Sequence, residues 1–570
     1  VSSINATKTS TRPSTKAILG GTPQASVATV SKTKGEHLNW MGGRSWDPKD
    51  PILQLQIAAA SSFFGEPQYY HDPTAPKRKK VAPATHHHYN LSEADVGRLR
   101  TLLNCIDPQE WRDLKPAARM VAAVMAALDH DVEATLKLAV ELRQVHHIRV
   151  TPQVIMVHAA LHPAQSGTGL LTKYAPQIVS RIDEVATQYA YYLSLGNGHT
   201  PPKSLKRNWA RALTGATEYQ LAKYRLEGRM VSLADVVNIC HAKGPFIDKL
   251  MKGDLKLGAA GRQTWESIRS DGGSWADAAK VMGHMALLRN LRNLGDARAL
   301  NAETLAKLVA GAAKGKQLPF RYVSAYKAVE HLAQPQLLDA IEECLDISIA
   351  NMPHLPGRVA SLSDNSGSAW GAMQSSMGTM PIATIGNLMG ILTAKCADEG
   401  HVGVFGDRLT MLPVRKRSSV FDTLQKVERA GKATGMSTEN GIWLFWKDAI
   451  EKKQHWDTVF IYSDMQAGHG GLYGTERHRG SGYRVAGKSC TWPGRESYID
   501  VPMLIDLYRR KVNPKVHVAL VQTAGYQDTL VPEQYDRTYI MGGWSAQVVK
   551  YVATMQQLRD GVPSNNPPAQ

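Results

Sequence analysis

The sequence predicts a mainly α protein joined to an α/β unit, and three observations carry that expectation. From Leu91 to about residue 350, apolar residues recur at helical spacing with short turns between the runs. From Arg358 onward, short apolar runs alternate with helical segments. The length of 570 residues also exceeds one ordinary core, so two or more units with separate cores are expected.

Composition narrows the function classes. Lys and Arg number 67 against 50 Asp and Glu, a formal charge of +17, which favours a polyanionic partner; plain solubility charge is the alternative reading. Hydrophobic residues at 43% and charged residues at 21% are those of a globular chain, and no run approaches the roughly 20 apolar residues that cross a bilayer, so no membrane partner is expected. Cys105, Cys240, Cys344, Cys396 and Cys490 show no Cys-x-x-Cys spacing. That pattern argues against a zinc ribbon or disulfide framework and points to a reducing, cytoplasmic setting.

In chain order, residues 1–35 are rich in Ser and Thr, carry five basic residues and no acid before Glu36, and read as a flexible basic arm. Lys77-Arg78-Lys79-Lys80 looks like a nuclear-import cluster, though such tetrads are usually solvated loops. His86-His87-His88 reads as a polar loop, since three consecutive side chains rarely converge on one ion. Ser92 and Asp95 then open a helix. Further helices are expected at 116–128, 132–145, 152–162 and 176–194, the third opened by Thr151 as cap with Pro152 in its first turn. Hairpins of this size cannot bury an apolar face alone, so they predict a HEAT-like α-solenoid, with a compact all-helical domain as the alternative.

Basic residues cluster midway. Pro202 opens a helix that puts Lys203, Lys206 and Arg207 on one face; Leu221-Ala222-Lys223-Tyr224-Arg225 and Arg229 follow, and Ser232 starts a helix ending near His241-Ala242-Lys243. Cations with an interleaved Tyr and His can hold phosphates by charge and a base by stacking. Each residue taken singly is more often solvated surface, and His241 reads equally as a helix C-cap.

In the α/β part, strands are expected near 358–363, 401–405, 456–463, 516–522 and 537–541, with a helix over 381–398 ended by Gly400. The first strand delivers Asp364-Asn365-Ser366-Gly367-Ser368, an Asp-x-Ser-x-Ser loop whose carboxylate and two hydroxyls suit a hard divalent cation; alone, such a turn more often caps a helix than holds a metal. Gly435-Met436-Ser437-Thr438 and the strand Asp457 to Asp464 follow.

Three oxygen-bearing stretches in this order resemble the metal-ion-dependent adhesion site of von Willebrand factor A domains. That resemblance implies Asp364, Ser366, Ser368, Thr438 and Asp464 as direct or water-mediated ligands of Mg²⁺ or a similar divalent cation. Two departures stand out: Ser363 where a buried strand usually keeps an aliphatic residue, and a long Gly-, His- and Arg-rich insert over 468–495, read equally as a phosphate grip beside the metal or as an oligomer contact or disordered loop.

Lys203-Ser204-Leu205, Lys223-Tyr224, the Ser232 to Lys243 helix, Thr264-Trp265-Glu266, Met285-Ala286-Leu287-Leu288-Arg289-Asn290-Leu291 and Leu318-Pro319-Phe320 resemble, in order, the TROVE module of the Ro ribonucleoprotein family and its bacterial relatives. The resemblance spans roughly residues 40 to 560 and implies a HEAT-like helical ring over 36–350, closed by an A domain over 351–570 with Asn351 to Gly357 as the linker. It implies a non-catalytic scaffold that binds small structured, Y-like non-coding RNA on a basic outer surface and single-stranded 3′ ends of misfolded RNA in the ring. An exoribonuclease or another protein is a further expected partner. Carried over by motif, Lys223, Arg229 and His241 fall on the RNA surface, beside Lys203, Lys206, Arg207 and Lys243 from the charge pattern; Arg289, flanked by apolar residues, is expected to tie helices together. The alternatives are a Mg²⁺-dependent phosphoesterase using Asp364 and Asp464, for which the site offers no spare carboxylates for a second ion, and a metal-dependent protein-interaction module.

Overall fold

A computed structural model describes residues 36–38, 44–46, 48–61, 116–195, 200–224, 231–255, 264–315, 317, 319–350, 352–370, 374–375, 378–435, 439–465, 483–524, 529–531 and 534–560. The N-terminal arm, the Lys77–Lys80 and His86–His88 clusters and the helix expected from Ser92 lie outside these residues. What is described divides into a helical unit, 116–348, and an α/β unit made of 349–560 and the segment 36–61.

In the helical unit, helices pack on near neighbours in sequence. Val132–Gln144, capped by Asp131 whose Oδ1 accepts from the Ala134 amide at 2.9 Å, packs on Val150–Leu161 and Leu170–Ile178. Val150–Leu161 in turn packs on Asp183–Ser194, and Lys203–Thr214 packs on both Leu170–Ile178 and Leu233–Cys240. A buried polar chain cross-links four of them. Trp209 Nε1 donates to Gln188 Oε1 (2.7 Å), Gln188 Nε2 to Gln153 Oε1 (2.7 Å), and Gln153 Nε2 to the Ile178 carbonyl (3.2 Å). Because every polar atom in that chain has its partner supplied by another helix, the chain fixes register among them.

Two expected boundaries are corrected. The helix expected over 176–194 is two, Leu170–Ile178 and Asp183–Ser194. Buried Glu184 accepts from the amides of Ser180 and Arg181 and pairs with Arg143 at 2.9 Å, so the break is held by charge-assisted hydrogen bonds. Thr151 is not a cap: the helix begins at Val150 and Thr151 is buried inside it, while Arg149, the capping residue, is drawn to Asp183 at 3.1 Å.

The α/β unit is built on six strands: β1 (Leu355–Asp364), β2 (Ala397–Phe405), β3 (Leu409–Val414), β4 (Thr458–Ser463), β5 (His517–Gln522) and β6 (Thr538–Gly542). Their order is β6-β5-β4-β1-β2-β3, all parallel except the β2–β3 pair. β3 was not expected; Leu409 to Leu412 are half-buried, Pro413 is exposed and Val414 buried, as suits an antiparallel edge. In this order the chain winds outward from β1 to one side and from β4 to the other, so the crevice at their carboxyl ends is the topological switch point.

Gly400 does not end a helix. The helix Ile382–Lys395 stops earlier, and Gly400 lies inside β2, where a Cβ would meet the Ala394 carbonyl oxygen at 2.0 Å. The glycine serves close approach of strand to helix. The same helix explains Ser363: added carbon at Gly386 would stand 2.8 Å from Ser363 Oγ and at Gly390 3.6 Å from Ser361 Cβ, so small residues on both sides seat the helix against β1.

The segment 36–61, expected to open the helical domain, belongs to the α/β unit. Trp46 and Thr529 exchange backbone hydrogen bonds of 3.2 and 3.0 Å, and the helix Pro51–Ser61 lies against β6 so closely that a Cβ at Gly542 would be 2.5 Å from the Ile57 carbonyl oxygen. The described part of the insert is anchored too. Tyr483 meets Trp443 edge-on at 5.6 Å, and the Ala486 amide donates to Glu451 at the far end of helix Glu439–Glu451. Exposed Arg484 and Lys488 flank that turn.

Candidate metal centre and nucleic-acid surface

The switch point brings Asp364, at the end of β1, beside Ser463 and Asp464, at the end of β4. Asp364 Oδ1 accepts from the Ser366 amide (2.9 Å) and Oδ2 from Ser463 Oγ (2.7 Å). Ser366 Oγ is 2.9 Å from Ser368 Oγ, and Ser368 Oγ donates to Asp464 Oδ2 at 3.2 Å. Four of the five expected ligands are thus within one hydrogen-bonded set; Thr438 lies outside the described residues. Asp364 is 2% and Asp464 4% exposed.

Burial pushes the Asp364 carboxyl up from its ordinary range, against the opposing hydrogen bonds from Ser366 and Ser463. Two buried carboxylates linked through hydroxyls make a concentration of negative charge and oxygen lone pairs, a donor set that fits a hard divalent cation. Among the described residues no third His, Cys, Asp or Glu joins them in a cluster. Sequence reasoning missed Ser463 and Gln522, whose Nε2 donates to the Asp464 carbonyl at 3.0 Å. A serine directly before a strand-ending Asp was the available signal for the first. Beneath the loop, Asn365 and Asn387 exchange amide hydrogen bonds of 2.8 and 3.0 Å and hold the backbone between Asp364 and Ser366. At the rim, Lys432 Nζ lies 5.0 Å from the Trp370 ring centre.

The basic residues of the helical unit form two groups. In the first, helix Lys203–Thr214 carries exposed Lys203 and Arg207 and half-buried Lys206 on its first turns, while Leu205 and Trp209 face inward. It packs on Leu233–Cys240, which starts with a capping box of Ser232 and Asp235. Burial pushes the Cys240 thiol up, and Lys206 is close enough to oppose that with its charge. His241 caps this helix in the left-handed conformation (φ 55°), its N–H donating to the Val237 carbonyl, and its ring is exposed, as is Lys243. The backbone of His241 thus caps the helix while its ring is exposed.

In the second group, exposed Lys223 lies over the rings of Tyr219 (5.7 Å) and Tyr224 (5.6 Å), and Arg181 covers Tyr224 at 4.6 Å. Arg181 and Tyr219 were not anticipated: Arg181 reaches this group only in the fold, whereas Tyr219 stands four residues before Lys223 on one helix, a spacing that was there to be read. Helix Pro245–Lys252 packs against both groups, and Lys249 pairs with Glu218 at 2.9 Å. Arg229 lies outside the described residues. Arg289 is corrected: it is exposed, with Leu287, Leu288 and Leu291 buried on the opposite side of its helix, and among the described residues it shows no hydrogen bond or ion pair.

No protein-family model matches the chain, and no curated protein does. Among solved structures, the chain is similar to the crystal structure of the Deinococcus radiodurans Ro (RSR) protein, with a TM-score of 0.52 over 90% of this chain and 99% of that one, at 15% sequence identity. The two share a fold.

Proposed function

We propose that the chain is a non-catalytic RNA-binding scaffold of the Ro kind. The observation that carries this is the exposed cations of the helical unit, Lys203, Arg207, His241 and Lys243 in one group and Lys223 with Tyr219 and Tyr224 in the other, with helix Pro245–Lys252 packed against helices of both. Such a surface attracts phosphate by charge and offers ring faces to bases, with little sequence preference. The likeness of fold to the Ro protein supports small structured, Y-like RNA as the ligand of this surface. It also supports, within the same reading, 3′ ends of misfolded RNA passing through a helical ring closed by the α/β unit, for RNA quality control or decay with an exoribonuclease. A cytoplasmic setting goes with it; among the described residues no helix is long and apolar enough to cross a membrane.

In the α/β unit the proposed occupant is Mg²⁺, held by Asp364, Ser366, Ser368 and Asp464 with Thr438 completing the set. When bound, the cation supplies positive charge and an open coordination position. The chain's own residues hold the ligand oxygens in place through Ser463, Gln522 and the Asn365–Asn387 pair.

Incubation with labelled stem-loop RNA and Mg²⁺ tests the non-catalytic reading against a phosphoesterase. The expected result is a retarded band containing RNA of unchanged length; shortening that Asp364→Ala abolishes would establish the enzyme instead. Metal-dependent retention of a protein that survives ribonuclease treatment would point to the interaction module.

A further inference from the structure

We infer that Phe246 is a stacking platform for an unpaired base of the RNA held on this surface, an inference that rests on the RNA-binding reading and adds to it a preference for RNA with a bulged or looped nucleotide. Helix Pro245–Lys252 packs into the helical unit through Ile247 and Leu250, which are 2% and 7% exposed. Phe246 is 37% exposed, so part of its ring is presented to solvent. Its position is set by the turn before it: Gly244 takes φ 156°, a conformation open to glycine, and Pro245 fixes the first helical residue.

The surroundings of the ring define what it would meet. His241 and Lys243, both exposed, come within five residues before it, and the Thr214 hydroxyl pins their loop by donating to the Lys243 carbonyl at 3.3 Å. Lys249 Nζ lies over the ring, 5.8 Å from its centre, steadied by Glu218. Met251, exposed at 42%, is five residues on and so points away around the helix, and it does not extend Phe246 into an apolar patch of the kind a protein partner covers. A flat apolar face bordered by cations fits a ligand that is itself flat and apolar in its base and anionic in its backbone.

The test uses the full chain and two labelled RNAs with the same stem, one carrying a single bulged purine and one fully paired with a linked, inaccessible end. Phe246→Leu keeps apolar bulk and removes the aromatic face; it is expected to weaken binding of the bulged RNA about 10-fold and leave the paired RNA unchanged. Phe246→Trp, which restores a larger ring, is expected to bind the bulged RNA at least as tightly as the parent chain. A 2-aminopurine at the bulge is expected to lose fluorescence on binding to the parent and to regain it with Phe246→Leu. Equal loss on both RNAs, or none on either, overturns the inference. Loss of both RNAs by a Lys223→Ala, His241→Gly variant alongside no effect of Phe246→Leu removes Phe246 alone; no RNA binding by the parent chain removes the RNA reading itself.

Discussion

Replacing Lys223 by Ala and His241 by Gly in one chain lowers affinity for a stem-loop RNA by roughly 10- to 100-fold, the loss expected when two charge-assisted contacts are removed from a solvated surface. The fold is expected to survive. Lys223 is exposed and, among the described residues, meets the rings of Tyr219 and Tyr224, and His241 contributes to folding through its backbone N–H. Glycine is the right replacement there, because φ 55° is the left-handed region and Ala would be strained in it by about 1 kcal/mol. The measurement is a gel-shift titration beside a thermal melt. Reduced affinity at an unchanged melting temperature supports the surface; unchanged affinity removes Lys223 and His241 from it.

Asp364→Asn is expected to raise the melting temperature in metal-free buffer and to abolish any rise that Mg²⁺ gives the parent. The sign follows from burial. The folded state holds the Asp364 carboxyl above its ordinary 3.8, so the contribution to stability is present while the group is protonated. It is lost as pH rises from that ordinary value through the raised one, because the ionised form is then buried. A bound cation needs the ionised form and offsets that loss, so the Mg²⁺ effect grows from acid to neutral pH. With Mg²⁺ at about 100 times its Kd, the gain for the parent is about 2.7 kcal/mol. Melts of both chains, with and without Mg²⁺, measure it; an equal Mg²⁺ rise in Asp364→Asn would place the ion elsewhere.

Local signals carried much of this architecture. Ser232 announced a helix start, apolar runs announced five of the six strands, and Asp-x-Ser-x-Ser with a later strand-ending Asp named a set that the switch point does bring together. What stayed hidden was made by distant partners. Nothing near Trp46 says that it pairs with Thr529, and nothing near Tyr224 says that Arg181 will cover it. Gly400 after a helical run was indistinguishable from a C-cap, since the reason for glycine there is a carbonyl on another element. Arg289 is different: its spacing with Met285 and Arg292, all exposed, marks an outer face, and that periodicity outweighed its apolar neighbours.

The central claim is that positive charge on the helical unit holds the phosphates of a folded RNA. Its most direct measurement is the affinity of the intact chain for a labelled stem-loop RNA between about 50 and 200 mM salt. A surface making six or more phosphate contacts gives a fall of roughly 1,000-fold across that range, with a slope that drops by about one when Lys223 is removed. Absence of binding at the lowest salt, or an affinity that does not change with salt, contradicts the account.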